Sequence, residues 1–187
     1  MMVLGALLFA AAAHTVARPP DACQVLSKSD IAAVQGESYT NAKLTTYADV
    51  SQCFYQLPSF TKSVSVDVIR DGREFWEQHF REPEESGEEE SRPPREIEGI
   101  GDEALWMGGR MAGALYVRKG DFVLRISVGG PGDEASKIAK SKTLAARALI
   151  ALKGEGDSDA RKENDRASSK GQAGGEGAID AGGRVRP

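Results

Sequence analysis

Histidine and cysteine are scarce in this chain: 187 residues hold two of each, beside 24 Lys and Arg and 28 Asp and Glu. One of the two histidines, His14, sits in an apolar leader, so the rest of the chain has only His79 and cannot supply a multi-histidine metal site. Cys23 and Cys53 stand far apart, and without a C-x-x-C pair a structural zinc site is excluded too. A basic excess is also missing. The formal net charge is -4 and the lysines and arginines alternate with acids, so no basic stripe exists to displace counterions from nucleic acid. No G-x-S-x-G, P-loop, H-E-x-x-H or EF-hand spacing occurs. No apolar run reaches the roughly 20 residues of a membrane-spanning helix. The hydrophobic fraction of 40% is slightly low and the charged fraction of 28% slightly high for a globular chain, and identifiable segments account for both.

What is present begins with "MMVLGALLFAAAAHTVARPPDAC". The apolar run Val3–Ala13 has the length of a signal h-region, and small residues follow it, which predicts a signal peptide over 1–17 cleaved after Ala13 or Ala17. A charged n-region is absent. The competing reading, a buried N-terminal helix, has to contend with "RPP" and the lack of a polar face. Pro20-Asp21-Ala22 does not fit a lipobox, so no lipid on Cys23 and no stable membrane span after cleavage are expected. The predicted location is secreted or periplasmic. There, two cysteines are most simply a disulfide, Cys23 with Cys53, stabilising the fold by roughly 3 to 4 kcal/mol. In a reducing compartment they would instead be two inert buried thiols.

Ser27 with Asp30 three residues on forms a capping box before "DIAAVQG", a short helix ended by Gly36. "SQCFYQL" at 51–57 is a strand stopped by Pro58. "KSVSVDVIR" at 62–70 alternates Val64, Val66 and Val68 against Ser65, Asp67 and Ile69, the pattern of a half-buried strand. Asp71-Gly72 opens a second helix, "REFWEQHF", with i,i+4 pairs Phe75–His79 and Trp76–Phe80. Residues 82–98 hold eight glutamates, two arginines and three prolines and read as a solvated acidic loop. "ALWMGG", "GALYVRKG" and "DFVLRISVGG" follow as strands, the last two joined by a tight turn at Lys119-Gly120-Asp121. A long helix from about Glu134 to Lys153 buries Ile138, Ala145, Ala148, Leu149 and Leu152. Residues 154–187 carry eight glycines, seven acids and six bases without an aromatic, and read as a disordered polyampholyte tail. One α+β domain over 22–153 is the result.

Gly99-Ile100-Gly101-Asp102-Glu103-Ala104 spells G-x-G-x-x-A, the glycine fingerprint of a dinucleotide-binding turn. Its context is wrong. A true fingerprint follows a buried strand and opens a helix, whereas here a Pro- and Glu-rich loop precedes and a strand follows. Asp121, near the distance of a ribose partner, occupies the hairpin turn. The glycines are therefore assigned to a sharp bend into the strand, and no cofactor is expected. The glutamates at 88–90 lack calcium-ligand spacing and read as a solvated charge run. His79 reads as a half-buried neighbour of Phe75, with a lone general base as the rival. Phe75, Trp76, Phe80, Trp106 and Tyr116 either fill the core or line a candidate ligand pocket.

"DACQVLSKSDIAAVQG", "QCFYQL", "IEGIGDEALW", the hairpin "ALYVRKGDFVLRISVGG" and the final amphipathic helix together resemble the domain of unknown function 3558 group, common among actinobacterial lipoproteins and exported proteins. The resemblance covers residues 21 to 152. Cys23 and Cys53 match the family's cysteines, and Gly99, Gly101, Asp102 and Ala104 match its glycine step. It implies a curved antiparallel sheet, of five to six strands here, flanked by the short N-terminal, middle and long C-terminal helices, similar to PsbP-like α/β sandwiches. It implies no catalytic residues. The chain departs from the family in its missing lipobox, acidic loop and long tail. The function expected is an exported, non-enzymatic binding or scaffold domain for an envelope protein. A carrier of a small apolar ligand or lipid is the alternative, and a hydrolase using His79 a weaker one.

Overall fold

In the computed structural model the described residues are 18–70, 72–81, 93–108 and 112–171, and from residue 154 onward the description is of the backbone. Among the described residues seven strands pair in one open antiparallel sheet: β1 (Asn41–Tyr47), β2 (Val50–Gln56), β3 (Val64–Arg70), β4 (Arg95–Glu96), β5 (Glu103–Gly108), β6 (Gly113–Lys119) and β7 (Phe122–Val128). Their order is β1-β2-β3-β7-β6-β5-β4, so the second half of the chain returns to dock β7 on β3. The helices are α1 (Lys28–Gln35), α2 (Gly72–Trp76), which runs on as a π-helical turn over Glu77–Arg81, and α3 (Glu134–Gly171). The α+β fold is the one expected, with more strands than the five to six anticipated. β1 is exposed along almost its whole length, so it has no alternating apolar signal to read. β4 is two residues inside the stretch taken for a solvated loop, held there because Ile97 inserts into the core and its N–H donates to the Ala104 carbonyl at 2.9 Å.

The N-terminal segment is fastened to β2 three times. Cys23 and Cys53 form a disulfide. The Ala22 N–H donates to Ser51 Oγ at 3.0 Å, and the Tyr55 hydroxyl donates to the Ala22 carbonyl at 2.7 Å. Burial pushes the Tyr55 phenol well above its ordinary pKa, with Tyr39 adding to the effect, so the hydroxyl remains a donor. α1 then starts at the capping box: Ser27 Oγ accepts from the Asp30 N–H at 3.2 Å and Asp30 Oδ2 accepts from the Ser27 N–H at 3.0 Å. Gly36, at φ 77°, ends it in the left-handed region. Gln35, the last residue of α1, is buried, and its amide donates to the Lys62 and Gly129 carbonyls while accepting from Lys140. One glutamine thus ties α1 to the loop before β3, the end of β7 and α3.

Asp133 stands just before α3, and its carboxylate accepts from the Ser136 N–H at 2.8 Å. Ile138, Leu144, Ala145, Ala148 and Leu152 form its buried stripe, with Leu149 at the margin, and Arg147 reaches Asp30 of α1 at 3.0 Å. The helix does not stop at Lys153. Its backbone continues for 18 residues to Gly171, into the segment expected to be a disordered tail. No proline interrupts that stretch, and extending a formed helix is far easier than nucleating one. Residues 172–187 lie outside the described residues, as do the segment 1–17 expected to be a signal peptide and the acidic stretch 82–92.

The two faces of the sheet have different covers. Under α1 and α3 lies the main core, with Cys53, Tyr55, Val64, Val66, Val68, Trp106, Leu115, Val117, Leu124 and Ile126 all buried. The opposite face carries a smaller cluster of Ile69, Trp76 and Val123 under α2. β3 is therefore buried on both sides, not half-buried: Asp67 and Ile69, on the face read as outward, are each 7% exposed. The alternation of β3 was legible, but the bonds of Asp67 to Gln52 and Arg125 and the packing of Ile69 with Trp76 and Val123 were not.

Candidate binding face

On the α2 side, one cross-strand row runs through five strands in register: Gln52, Asp67, Arg125, Tyr116 and Leu105. Directly opposed side chains in an antiparallel sheet lie close enough to bond, and four of these do. Gln52 Nε2 donates to Asp67 Oδ1 at 2.9 Å, Arg125 Nη1 donates to Asp67 Oδ2 at 2.9 Å, and Arg125 Nε donates to the Tyr116 hydroxyl at 3.1 Å. Burial opposes the charge of Arg125, but Tyr116 and Asp67 beside it outweigh that and hold its pKa above the ordinary arginine value. The row is a fixed polar spine with both Asp67 oxygens engaged.

α2 closes one end of this face. Gly72 lets it approach, since a Cβ there would lie 2.5 Å from the Phe122 carbonyl carbon. Trp76 is 2% exposed, and its indole N–H donates to Glu103 Oε2 at 2.8 Å. The π-helical turn widens the helix by one residue. Phe80 there packs on Trp76 with ring centres 4.7 Å apart and on Tyr116 at 5.1 Å, and Arg81 bonds Glu103 at 3.0 Å. Arg118, opposite Glu103 in the sheet, reaches it at 2.7 Å. Burial alone would raise the Glu103 carboxyl; Arg81 and Arg118 outweigh it and hold the group below its ordinary pKa. The Arg81 guanidinium, hydrogen-bonded to Glu103, is raised in turn.

The glycine step lies at the turn between β4 and β5. Gly99 and Gly101 have φ of 77° and 66°, and a Cβ on Gly101 would meet Val117 Cγ1 at 2.4 Å and the Arg118 carbonyl at 2.6 Å. Asp102 next to it accepts from the Gly120 N–H at 2.8 Å and from Lys119 Nζ at 2.6 Å, clasping the β6–β7 turn. The Gly120 bond first, and then Lys119, lower its pKa. Ala104 is buried opposite Val117. The step opens a strand, as the sequence context required, and not a nucleotide-binding helix.

Of the five aromatics named as a candidate pocket, Phe75, Trp76, Phe80 and Tyr116 gather under α2, while Trp106 lies on the opposite face in the main core. Its ring covers Gly108 and Gly113, and a Cβ on Gly113 would be 2.2 Å from Trp106 Cζ2. Trp76 fills core space. What stays accessible is a shallow groove of about 280 Å3 between α2 and the β1–β2 turn, lined by Tyr47, Val50, Ile69, Glu74, Phe75 and Gln78. Tyr47, at its rim, is 80% exposed. His79 is exposed too, not half-buried: it stacks on Phe75 at 4.0 Å, and Nδ1 donates to the Phe75 carbonyl at 2.9 Å. The helix turns its i+4 position outward there, so pairing with Phe75 did not imply burial.

Gln52, Asp67, Arg125 and Glu103 were not singled out from the sequence. The available signal was a lone acid and a lone base in the middle of two strands otherwise made of strand formers, a pattern that implies pairing. Tyr47 gave no signal. Among the described residues, no three His, Cys, Asp or Glu side chains come together to hold a metal ion, and no helix is long and apolar enough to cross a membrane. No protein-family model, curated protein or solved structure matches the chain.

Proposed function

We propose that this chain is an exported binding domain without catalytic activity, and that it meets an envelope protein through the groove between α2 and the β1–β2 turn. The observation that carries this reading is the contrast on the α2 face between engaged acids and an open aromatic rim. Asp67 and Glu103 are each taken up in internal bonds, whereas Tyr47 and the neighbouring Phe75 present rings at the surface. Tyrosine held this way is a good contact residue, since it offers a large amphipathic area at small entropic cost. The disulfide suits an oxidising compartment, in keeping with the proposed signal peptide. The shared cysteines and glycine step support kinship with the domain of unknown function 3558 group.

The test is affinity recovery from native envelope and medium with the wild-type chain and with Tyr47→Ala, which removes a solvent-facing ring. A partner held by the wild type and lost with the variant is expected. A wild-type chain that reproducibly recovers nothing would count against the reading. The carrier alternative draws on the clustered rings of Phe75, Phe80 and Tyr116, but the groove falls below the roughly 300–1,000 Å3 of ligand pockets. Apolar molecules in organic extracts of the purified protein would revive it.

A further inference from the structure

The two edges of the sheet are unequal. β4 closes one with two residues, but β1 leaves a seven-residue edge that no strand covers among the described residues. Alternation along β2 shows which of its backbone groups are free. The Arg70 N–H donates to the Asp49 carbonyl at 2.9 Å, so odd-numbered residues of β2 bond β3 and even-numbered ones bond β1. The register Asn41↔Gln56 to Tyr47↔Val50 then turns the odd residues of β1 toward β2. The N–H and C=O groups of Ala42, Leu44 and Thr46 point off the open edge. Such a row is a template for another strand.

We propose that this edge pairs with the β1 edge of a second copy of the chain, antiparallel, about a two-fold axis at Leu44. That register sets Ala42 opposite the partner's Thr46 and Leu44 opposite the partner's Leu44, so all three outward residues on each side bond and six backbone hydrogen bonds form. Sliding by two residues in either direction loses a third of them. One of those slips also sets Lys43 against the partner's Lys43, and Lys43 is the only charge in the strand. With the axis at Leu44, Lys43 faces Thr45 instead, with no like charges opposed. Leu44, 44% exposed for want of a neighbour on that side, meets its own copy. The product is one continuous sheet with isologous symmetry.

Sedimentation of the oxidised full chain across a broad concentration range tests this, with the exchange of single backbone amides followed in parallel. The wild type is expected to reach twice the monomer mass, with the Ala42, Leu44 and Thr46 amides gaining protection as it does so. Leu44→Pro removes an outward N–H that β2 does not use, and Leu44→Lys sets like charges at the axis. Each should halve the mass while keeping the monomer's circular dichroism. Tyr47→Ala should keep the doubled mass even where it loses the envelope partner, so the two proposals fail separately. A wild type that stays monomeric, or a dimer that survives both Leu44 variants, overturns the pairing. A monomer whose partner is lost with Leu44→Pro also overturns it and gives the edge to a foreign strand.

Discussion

Removing the Cys23–Cys53 bond should reduce stability mainly through the unfolded chain. The bond closes a loop with a sequence separation of 30, for which the chain-entropy relation gives about 3.6 kcal/mol at room temperature. The folded state has reason to keep its shape without it. Ala22 stays tied to Ser51 and Tyr55 by hydrogen bonds, and Val25, Leu26 and Ile31 stay buried behind it. For a folded body of this size the loss corresponds to a melting temperature lower by roughly 10–18 °C. Urea titration of the oxidised chain, the reduced chain and the Cys23→Ala/Cys53→Ala variant measures it directly. The slope with urea should steepen once the link is gone, because a freed unfolded chain exposes more surface. A loss under about 1 kcal/mol with an unchanged slope would refute the argument. A biphasic transition would show that the N-terminal segment detaches by itself and that the native state carries the effect.

Two glycines separate the cost of a left-handed backbone from the cost of a clash. Gly36→Ala, at φ 77° with nothing within 4 Å, should lose about 1 kcal/mol. Gly101→Ala adds contacts at 2.4 and 2.6 Å and should lose roughly 1–3 kcal/mol more; equal losses in chemical denaturation would mean that β6 yields easily. The acid limb of stability depends on Glu103 and Asp102, whose carboxyls are held below their ordinary pKa. Their contribution is complete above about pH 5.5, where the unfolded groups are also ionised, and is lost as the pH falls through the lowered values. Glu103→Gln should flatten the decline below about pH 4 in a pH series of melting temperatures; an unaltered decline would remove Arg81 and Arg118 as its cause.

Local signals were enough for much of this protein. The capping box at Ser27 and Asp30, the positive-φ stop at Gly36, the hairpin at Gly120-Asp121 and the alternating valines of β3 each depend on a few neighbouring residues, and each was legible. The disulfide followed from the cysteine count and the expectation of export. Only the tertiary structure decided which strands pair and what covers each face. It set Asp67, Arg125 and Tyr116, far apart in sequence, side by side because β7 returns to lie between β3 and β6. It turned Trp106 away from the aromatics it had been grouped with, since β5 sends alternate side chains to opposite faces and α2 covers just one. It left Tyr47 and the β1 edge in the open, where exposure depends on there being no neighbouring strand among the described residues and not on anything the residues themselves encode.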